Sequence, residues 1–123
     1  KGEHSSTFGG NPISCAAGTA ALKALTEDGL IENSEKMGKK FREGLEKLKE
    51  KHTMIRDIRG KGLMIGIGLD SNIIDCSQLV KKALKDNLLI NVTGTTIRML
   101  PPLIITKEEI DILISKLIKL IST

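Results

Sequence analysis

Aromatic residues are almost absent from this sequence of 123 residues, which has two phenylalanines and no tryptophan or tyrosine. Its core must therefore be aliphatic. Surfaces that bind nucleic acid by base stacking place aromatic side chains among their basic residues. The formal net charge is +4 at pH 7, but basic and acidic residues alternate in stretches such as EKMGKKFREGLEKLKEKH, which is typical of a solvated helix face. The composition thus argues against a nucleic-acid partner.

Cysteine and long apolar runs are also scarce. Cys15 and Cys76 lack the local spacing of a zinc site, and two cysteines make a poor disulfide framework. We therefore predict no metal site and a reducing, cytoplasmic location. No apolar run approaches the ~20 residues that cross a bilayer, so no membrane partner is predicted.

The length suits one domain but is small for a complete metabolic enzyme. The sequence begins at Lys1 and not at methionine, and nothing near this residue resembles the apolar core of a signal peptide. There are no internal repeats, low-complexity tracts or clear linkers. We therefore expect a single domain that is a fragment of a longer chain.

The first half of the sequence predicts two helices. Asn11 is a suitable N-cap and Pro12 suits the first helical position, so a helix is expected from there to near Gly29. Its many alanines predict close packing against a neighbour. A second helix is expected from about Ser34 to Lys51. The following residues are spaced to share its apolar face: Met37, Phe41, Leu45 and Leu48.

Short apolar segments in the second half predict a small sheet. Met54 to Ile58 and Leu63 to Leu69 are strand candidates separated by RGKG, whose glycines permit a tight turn, so they are expected to form a hairpin. The run LLINV predicts a further short strand. Thr96 to Leu100 predicts another, which the two prolines after it would end.

Two more helices complete the predicted elements. Asp75 can cap a third helix whose inward residues would be Leu79, Val80, Ala83 and Leu84. Thr106 and Glu109 form a T-x-x-E capping box before the last helix. Its apolar face repeats at helical spacing: Ile110, Leu113, Ile114, Leu117 and Ile121. The expected fold is α/β of the α+β kind, a small and mainly antiparallel sheet covered by helices.

The opening stretch HSSTFGGNP carries the most chemistry near the start of the chain. Ser5, Ser6 and Thr7 offer hydroxyl groups, the following glycines allow close approach to the backbone, and a helix N-terminus follows. Exposed amides at a helix N-terminus favour an anion. A flexible loop with an N-cap explains the same residues, and the spacing matches neither a Walker loop nor a dinucleotide fingerprint. Both interpretations stay open on chemistry alone.

Three segments occur in order and at fitting separations: GEHSSTFGGNPISCAAGTAAL, IRGKGLMIGIGLD and TIRMLPPLIITKEEID. Together they resemble the C-terminal portion of class III aminotransferases, which are fold-type I enzymes that use pyridoxal phosphate. The acetylornithine aminotransferase branch is the most similar. The resemblance covers essentially the whole chain. It implies that residues 12–123 form the small C-terminal domain and that residues 1–11 form a connecting segment with a cofactor-phosphate loop.

The resemblance also implies roles for individual residues. Thr7, with Ser6 beside it, matches the position that hydrogen-bonds the cofactor phosphate of the neighbouring subunit in a homodimer. Arg98 matches the arginine that receives the α-carboxylate of the amino-acid substrate. The two glycines of RGKG match a structural turn. The family usually has glycine where Ser5 stands, which puts the backbone path of the loop in doubt.

The family's catalytic groups have no counterpart in this chain. The lysine that binds the cofactor covalently and the aspartate that pairs with its pyridine nitrogen lie upstream in the family. The resemblance implies a parent enzyme of arginine biosynthesis that transfers an amino group from N-acetylornithine, or a similar ω-amino donor, to 2-oxoglutarate. The chain alone is expected to be inactive. Two alternatives are an independent module that binds a protein or an anion, and the same domain of an ornithine or 4-aminobutyrate aminotransferase.

Overall fold

The structure, a computed structural model, describes residues 6–122 except for the side chains of residues 76 and 77. The expectation for Ser5 lies outside the described residues. The chain divides into two compact units, with the boundary between Ile31 and Glu32.

The first unit contains helix α1, Pro12–Glu27, which begins as the sequence predicts. The Oδ1 atom of Asn11 accepts a hydrogen bond of 2.9 Å from the backbone N–H of Ser14, so Asn11 is the N-cap. Asp28 is the C-cap and Gly29 follows with a φ of 70°. No residue of α1 is buried among the described residues, so the structure does not show the close neighbour that its alanines predict.

Helix α2, Leu30–Lys49, begins four residues before the predicted start at Ser34. Gly29 has a left-handed conformation that interrupts the first helix, and α2 starts at the next residue. Ser34 therefore lies within the helix, and its hydroxyl accepts a hydrogen bond of 3.3 Å from the backbone N–H of Leu63. The predicted apolar face is confirmed. Its four residues are buried: Met37, Phe41, Leu45 and Leu48.

Four antiparallel strands form one sheet in the order β1-β2-β4-β3. Their bounds are β1 Ile55–Lys61, β2 Met64–Leu69, β3 Asn91–Thr93 and β4 Thr96–Met99. The predicted hairpin and the two short strands near residues 90–100 are confirmed.

The turn of the first hairpin differs from the prediction. Lys61 pairs with Met64, so the connection is Gly62 and Leu63, and most of RGKG extends β1. Gly62 has a φ of 53°, and a Cβ on Gly60 would overlap the carbonyl oxygen of Met64. The sequence places glycines where the backbone needs them, but their positions within a hairpin depend on the pairing register.

Helix α3 spans Cys76–Lys85, and α4 spans Lys107–Ser122. The capping box is confirmed, because Thr106 N–H donates to a Glu109 carboxylate oxygen at 2.8 Å and Glu109 N–H donates to the Thr106 hydroxyl at 3.2 Å. Leu79 and Ala83 of α3 are buried as expected, but Leu84 is 54% exposed. The prediction for Leu84 is wrong, because one further residue rotates a side chain by about 100° around a helix.

The sheet has one buried and one exposed face in the second unit. The buried face joins apolar residues of α2, α3 and α4 in one core. Its most buried strand residues are Ile65, Ile67, Leu69, Ile97 and Met99. The other face, called the open face below, comprises Asp57, Arg59, Gly66, Gly68, Thr96 and Arg98. The α/β fold with a small antiparallel sheet is thus confirmed, and helices cover the sheet on one face.

Candidate functional site

On the open face, polar side chains of β1 and β4 flank the central strand β2, which contributes two glycines to this face. The pairing register places Arg59 opposite Gly66, and Gly66 opposite Arg98, in one row across three strands. A second row runs from Asp57 through Gly68 to Thr96. A cavity of about 350 Å³ lies on this face, and both arginines line it together with Gly66 and Thr96. Glycines on β2 therefore leave space between two strands that carry charged side chains.

Arg98 lies on this face because of strand alternation. Its neighbours Ile97 and Met99 are 0% and 4% exposed, whereas Arg98 is exposed. Successive side chains of a strand point to opposite faces, so the two apolar residues direct Arg98 outwards. Its guanidinium has no hydrogen-bond or ion-pair partner among residues 6–122. A guanidinium in this position can bind a carboxylate through two parallel hydrogen bonds.

Arg59 lies across the central strand. Its Nη1 donates to Oδ1 of Asp57 in a salt bridge, and its Nη2 donates to the Thr96 hydroxyl at 2.7 Å. The glycines make this path possible, because a Cβ on Gly68 would overlap the Asp57 carboxylate. It would also lie 3.1 Å from Nη1 of Arg59. A Cβ on Gly66 would lie 3.6 Å from Cγ of Arg59. The side chain of Arg59 therefore connects β1 to β4.

Sequence reasoning missed the functional potential of Asp57 and Arg59. The sequence predicts an apolar strand around Asp57 and places Arg59 in the turn that follows. The alternation D-x-R in β1 and G-x-G in β2 is a usable signal, because period-two spacing places both pairs on one face. It becomes informative only when the register that aligns the two strands is known.

Thr7 and Ser6 lie in the first unit, whereas Arg98 lies in the second. Both residues are exposed. The local backbone is organised by hydrogen bonds from Gly9 N–H to the Ser6 carbonyl at 3.3 Å and from Asn11 Nδ2 to the Phe8 carbonyl at 2.8 Å. The Thr7 hydroxyl has no hydrogen-bond partner among the described residues. An exposed hydroxyl group of this kind fits a phosphate oxygen as its acceptor.

A second charged pair lies outside the open face. Asp70, which follows β2, accepts a 2.9 Å hydrogen bond from the backbone N–H of Asn72 and a 3.1 Å hydrogen bond from Nη2 of Arg56. The backbone hydrogen bond from Asn72 is the main cause that lowers the pKa of the Asp70 carboxyl below its usual value. Desolvation opposes this effect, and the charge of Arg56 adds a further lowering. The ion pair of Arg56 and Asp70 thus links the start of β1 to the end of β2, at the end of the hairpin opposite its turn.

The remaining residue types add no second site within the described part of the chain. Cys15 is a free, exposed thiol, and the side chain of Cys76 lies outside the described set. Residues 6–122 contain no group of three or more His, Cys, Asp or Glu side chains arranged to bind a metal ion. Across the same residues, no helix has the length and apolar character that crossing a membrane requires.

Sequence comparisons relate the chain to enzymes that transfer amino groups. The family model for class-III aminotransferases matches residues 1–121. An acetylornithine aminotransferase from Caldanaerobacter subterraneus subsp. tengcongensis is 55% identical over 111 residues, which cover 89% of this chain and 28% of that protein. An ornithine aminotransferase from Plasmodium chabaudi chabaudi is 44% identical over 112 residues and is covered to 27%. The chain therefore spans a little over a quarter of the length of these relatives.

A solved structure agrees with the sequence comparison. The crystal structure of acetylornithine aminotransferase from Elizabethkingia anophelis matches with a TM-score of 0.88 and 38% sequence identity. The match covers 99% of this chain and 33% of that one. A family model over residues 1–121, with close relatives in sequence and in fold, shows that the chain belongs to the class-III aminotransferase family.

Proposed function

We propose that this chain is the C-terminal part of a pyridoxal-phosphate-dependent aminotransferase. The enzyme would transfer an amino group from N-acetylornithine, or a similar ω-amino donor, to 2-oxoglutarate. The observation that carries this proposal is the guanidinium of Arg98, which lines a cavity and has no partner among the described residues, in a chain of the class-III aminotransferase family. The similarity to acetylornithine aminotransferases supports the choice of donor.

Arg98 would bind the α-carboxylate of the substrate. Two parallel N–H···O bonds from a planar guanidinium fix both the position and the rotation of a carboxylate. In 2-oxoglutarate this carboxylate is bonded to the carbon that receives the amino group, so Arg98 would hold the acceptor at its reacting end, whereas the donor reacts at its ω-amino end. Holding the bound substrate in the reacting orientation contributes much of the rate enhancement in enzyme-catalysed reactions.

Thr7 would donate a hydrogen bond to the cofactor phosphate of the neighbouring subunit in a homodimer, with Ser6 as an adjacent donor. When bound, pyridoxal phosphate supplies the electron sink, while the protein supplies orientation and electrostatics. Thr7→Val preserves the shape of the side chain and removes the donor. A charge-assisted hydrogen bond contributes about 1.5–3 kcal/mol, so we expect cofactor affinity to fall about tenfold or more. An unchanged dissociation constant for the cofactor would exclude this role of Thr7.

The 123-residue chain by itself should be inactive, since none of its lysines lies in a segment that resembles the family's cofactor-binding lysine. Borohydride reduction of the isolated chain with pyridoxal phosphate, followed by peptide mapping, tests this expectation. We expect scattered, substoichiometric labelling. One lysine labelled stoichiometrically would contradict the proposal.

The donor is best identified with the full-length enzyme. We expect kcat/KM with 2-oxoglutarate as acceptor to be higher for N-acetylornithine than for ornithine or 4-aminobutyrate. The ornithine aminotransferase that is 44% identical makes ornithine the second candidate. The enzyme would act in the cytoplasm. A full-length protein with bound cofactor that accepts none of these donors would refute the proposed function. A reading frame that begins just before Lys1 would favour the independent binding module.

A further inference from the structure

The open face carries one acidic side chain close to the proposed carboxylate site. Asp57 lies two strands from Arg98, but its carboxylate leans over Gly68, as the overlap with a Cβ at that position shows. Gly68 pairs with Thr96, so Gly68 and Arg98 are diagonal neighbours. Such neighbours lie about 7–8 Å apart, within reach of a long side chain. A carboxylate of the protein is therefore near enough to compete with a substrate carboxylate for Arg98.

The side chain of Arg59 lies between the Asp57 carboxylate and the strand that carries Arg98. Its side chain runs along β2 above Gly66 and Gly68, and its guanidinium donates both to Asp57 and to the Thr96 hydroxyl on β4. Thr96 is two residues before Arg98 on the same face. The hydrogen bond to Thr96 fixes the guanidinium between the Asp57 carboxylate and the strand of Arg98. Asp57 is thereby neutralised by a partner other than Arg98.

We propose that Arg59 is a positioning residue that keeps Asp57 from pairing with Arg98, so that the Arg98 guanidinium remains available for the substrate carboxylate. This inference rests on the proposed function, because it assumes that Arg98 binds a carboxylate. It assigns a role to the three-residue bridge of Asp57, Arg59 and Thr96. The glycines of β2 are required for it, because a side chain at either position would lie against the bridge.

The test compares Arg59→Gln with the double variant Asp57→Asn plus Arg59→Gln in the full-length enzyme. In the single variant Asp57 is free to pair with Arg98, so we expect KM for 2-oxoglutarate to rise about fivefold, as for loss of a partly exposed charge pair. We expect kcat to change by less than about twofold. Removing the competing carboxylate in the double variant should return KM to within about twofold of wild type.

The control is Arg56→Gln, which removes an exposed arginine of the same strand whose partner is Asp70. We expect its KM values to match the wild type. A KM increase that persists in the double variant would overturn the proposal, since it would mean that Arg59 acts through its own charge. No increase in the single variant would overturn it as well.

Two further measurements separate this proposal from folding defects and from the proposed function. If Arg59→Gln does not fold, Thr96→Val removes only the acceptor of the second hydrogen bond. A KM increase that Asp57→Asn reverses would then support the proposal, and any other result would overturn it. Arg98→Lys tests the assumption directly. If that variant alters KM and the Arg59 variant does not, only the role of Arg59 fails, whereas unchanged KM for Arg98→Lys refutes the carboxylate site itself.

Discussion

Arg98→Lys is the substitution that most directly tests the carboxylate site. It retains the positive charge and the exposed position on β4, between the buried residues Ile97 and Met99. It removes the planar fork of donors, because lysine presents a point charge on a flexible chain. Binding strength and substrate orientation should therefore decline, while the sheet should remain intact.

The expected loss in kcat/KM follows from the hydrogen bonds that Arg98 would donate to a substrate carboxylate. Loss of a charge-assisted hydrogen bond costs about 1.5–3 kcal/mol, and a 10²-fold decrease in kcat/KM corresponds to about 2.7 kcal/mol. We therefore expect a decrease of about 10²-fold in kcat/KM for 2-oxoglutarate, whose α-carboxylate adjoins its reacting carbon. Arg98 is exposed and has no partner among the described residues, so the free energy of unfolding should change by less than about 0.5 kcal/mol.

Steady-state kinetics for both substrates and thermal unfolding of the full-length enzyme provide the assay. Arg56→Lys is the matched control, because Arg56 is an exposed arginine of β1 that pairs with Asp70. We expect this control to retain its kinetics. If Arg98→Lys keeps wild-type kinetics for both substrates while its melting temperature falls, Arg98 is a structural residue and the assignment is refuted.

Three further predictions concern stability and can be measured on the 123-residue chain. Phe41 is fully buried, so Phe41→Ala should reduce the free energy of unfolding in urea by about 3–5 kcal/mol, and a loss below about 1 kcal/mol would contradict the described core. Thr106→Ala removes the cap of α4 and should cost about 1 kcal/mol, whereas Ser115→Ala, within the same helix, should cost less. The lowered pKa of Asp70 contributes stability that is complete above its usual pKa of 3.8 and is lost as the pH falls through the lower folded-state value. Asp70→Asn should abolish this part of the acid dependence, and an unchanged acid profile would exclude the linkage.

Local patterns determined several elements of this protein. The four buried residues of α2 recur at helical spacing, and the capping box of α4 needs only two residues three positions apart. The outward position of Arg98 follows from alternation within a single strand. Each of these features depends on residues close together in the chain, so their periodicity in the sequence is enough to predict them.

The errors occur where a residue's role depends on a distant partner. The sequence predicts that α2 begins near Ser34, yet the helix begins at Leu30 and the Ser34 hydroxyl accepts a hydrogen bond from Leu63 in the hairpin. The glycines of RGKG predict a turn, but the pairing of Lys61 with Met64 moves the turn to the end of that motif. Local propensity cannot resolve such competition, because the free energy of the alternative contact comes from packing between elements.

The sequence by itself determined the apolar faces, the capped helices, the outward arginine and, through the similarity of three segments, the family. Only the tertiary structure decided that Asp57, Arg59 and Thr96 form a bridge beside Arg98. The physical reason is the sheet register. Two glycines on the central strand open a path between β1 and β4 only when they lie opposite these side chains. That alignment is fixed by the pairing of the central strand with β1 and β4, in which partner residues lie up to 34 positions apart in the sequence.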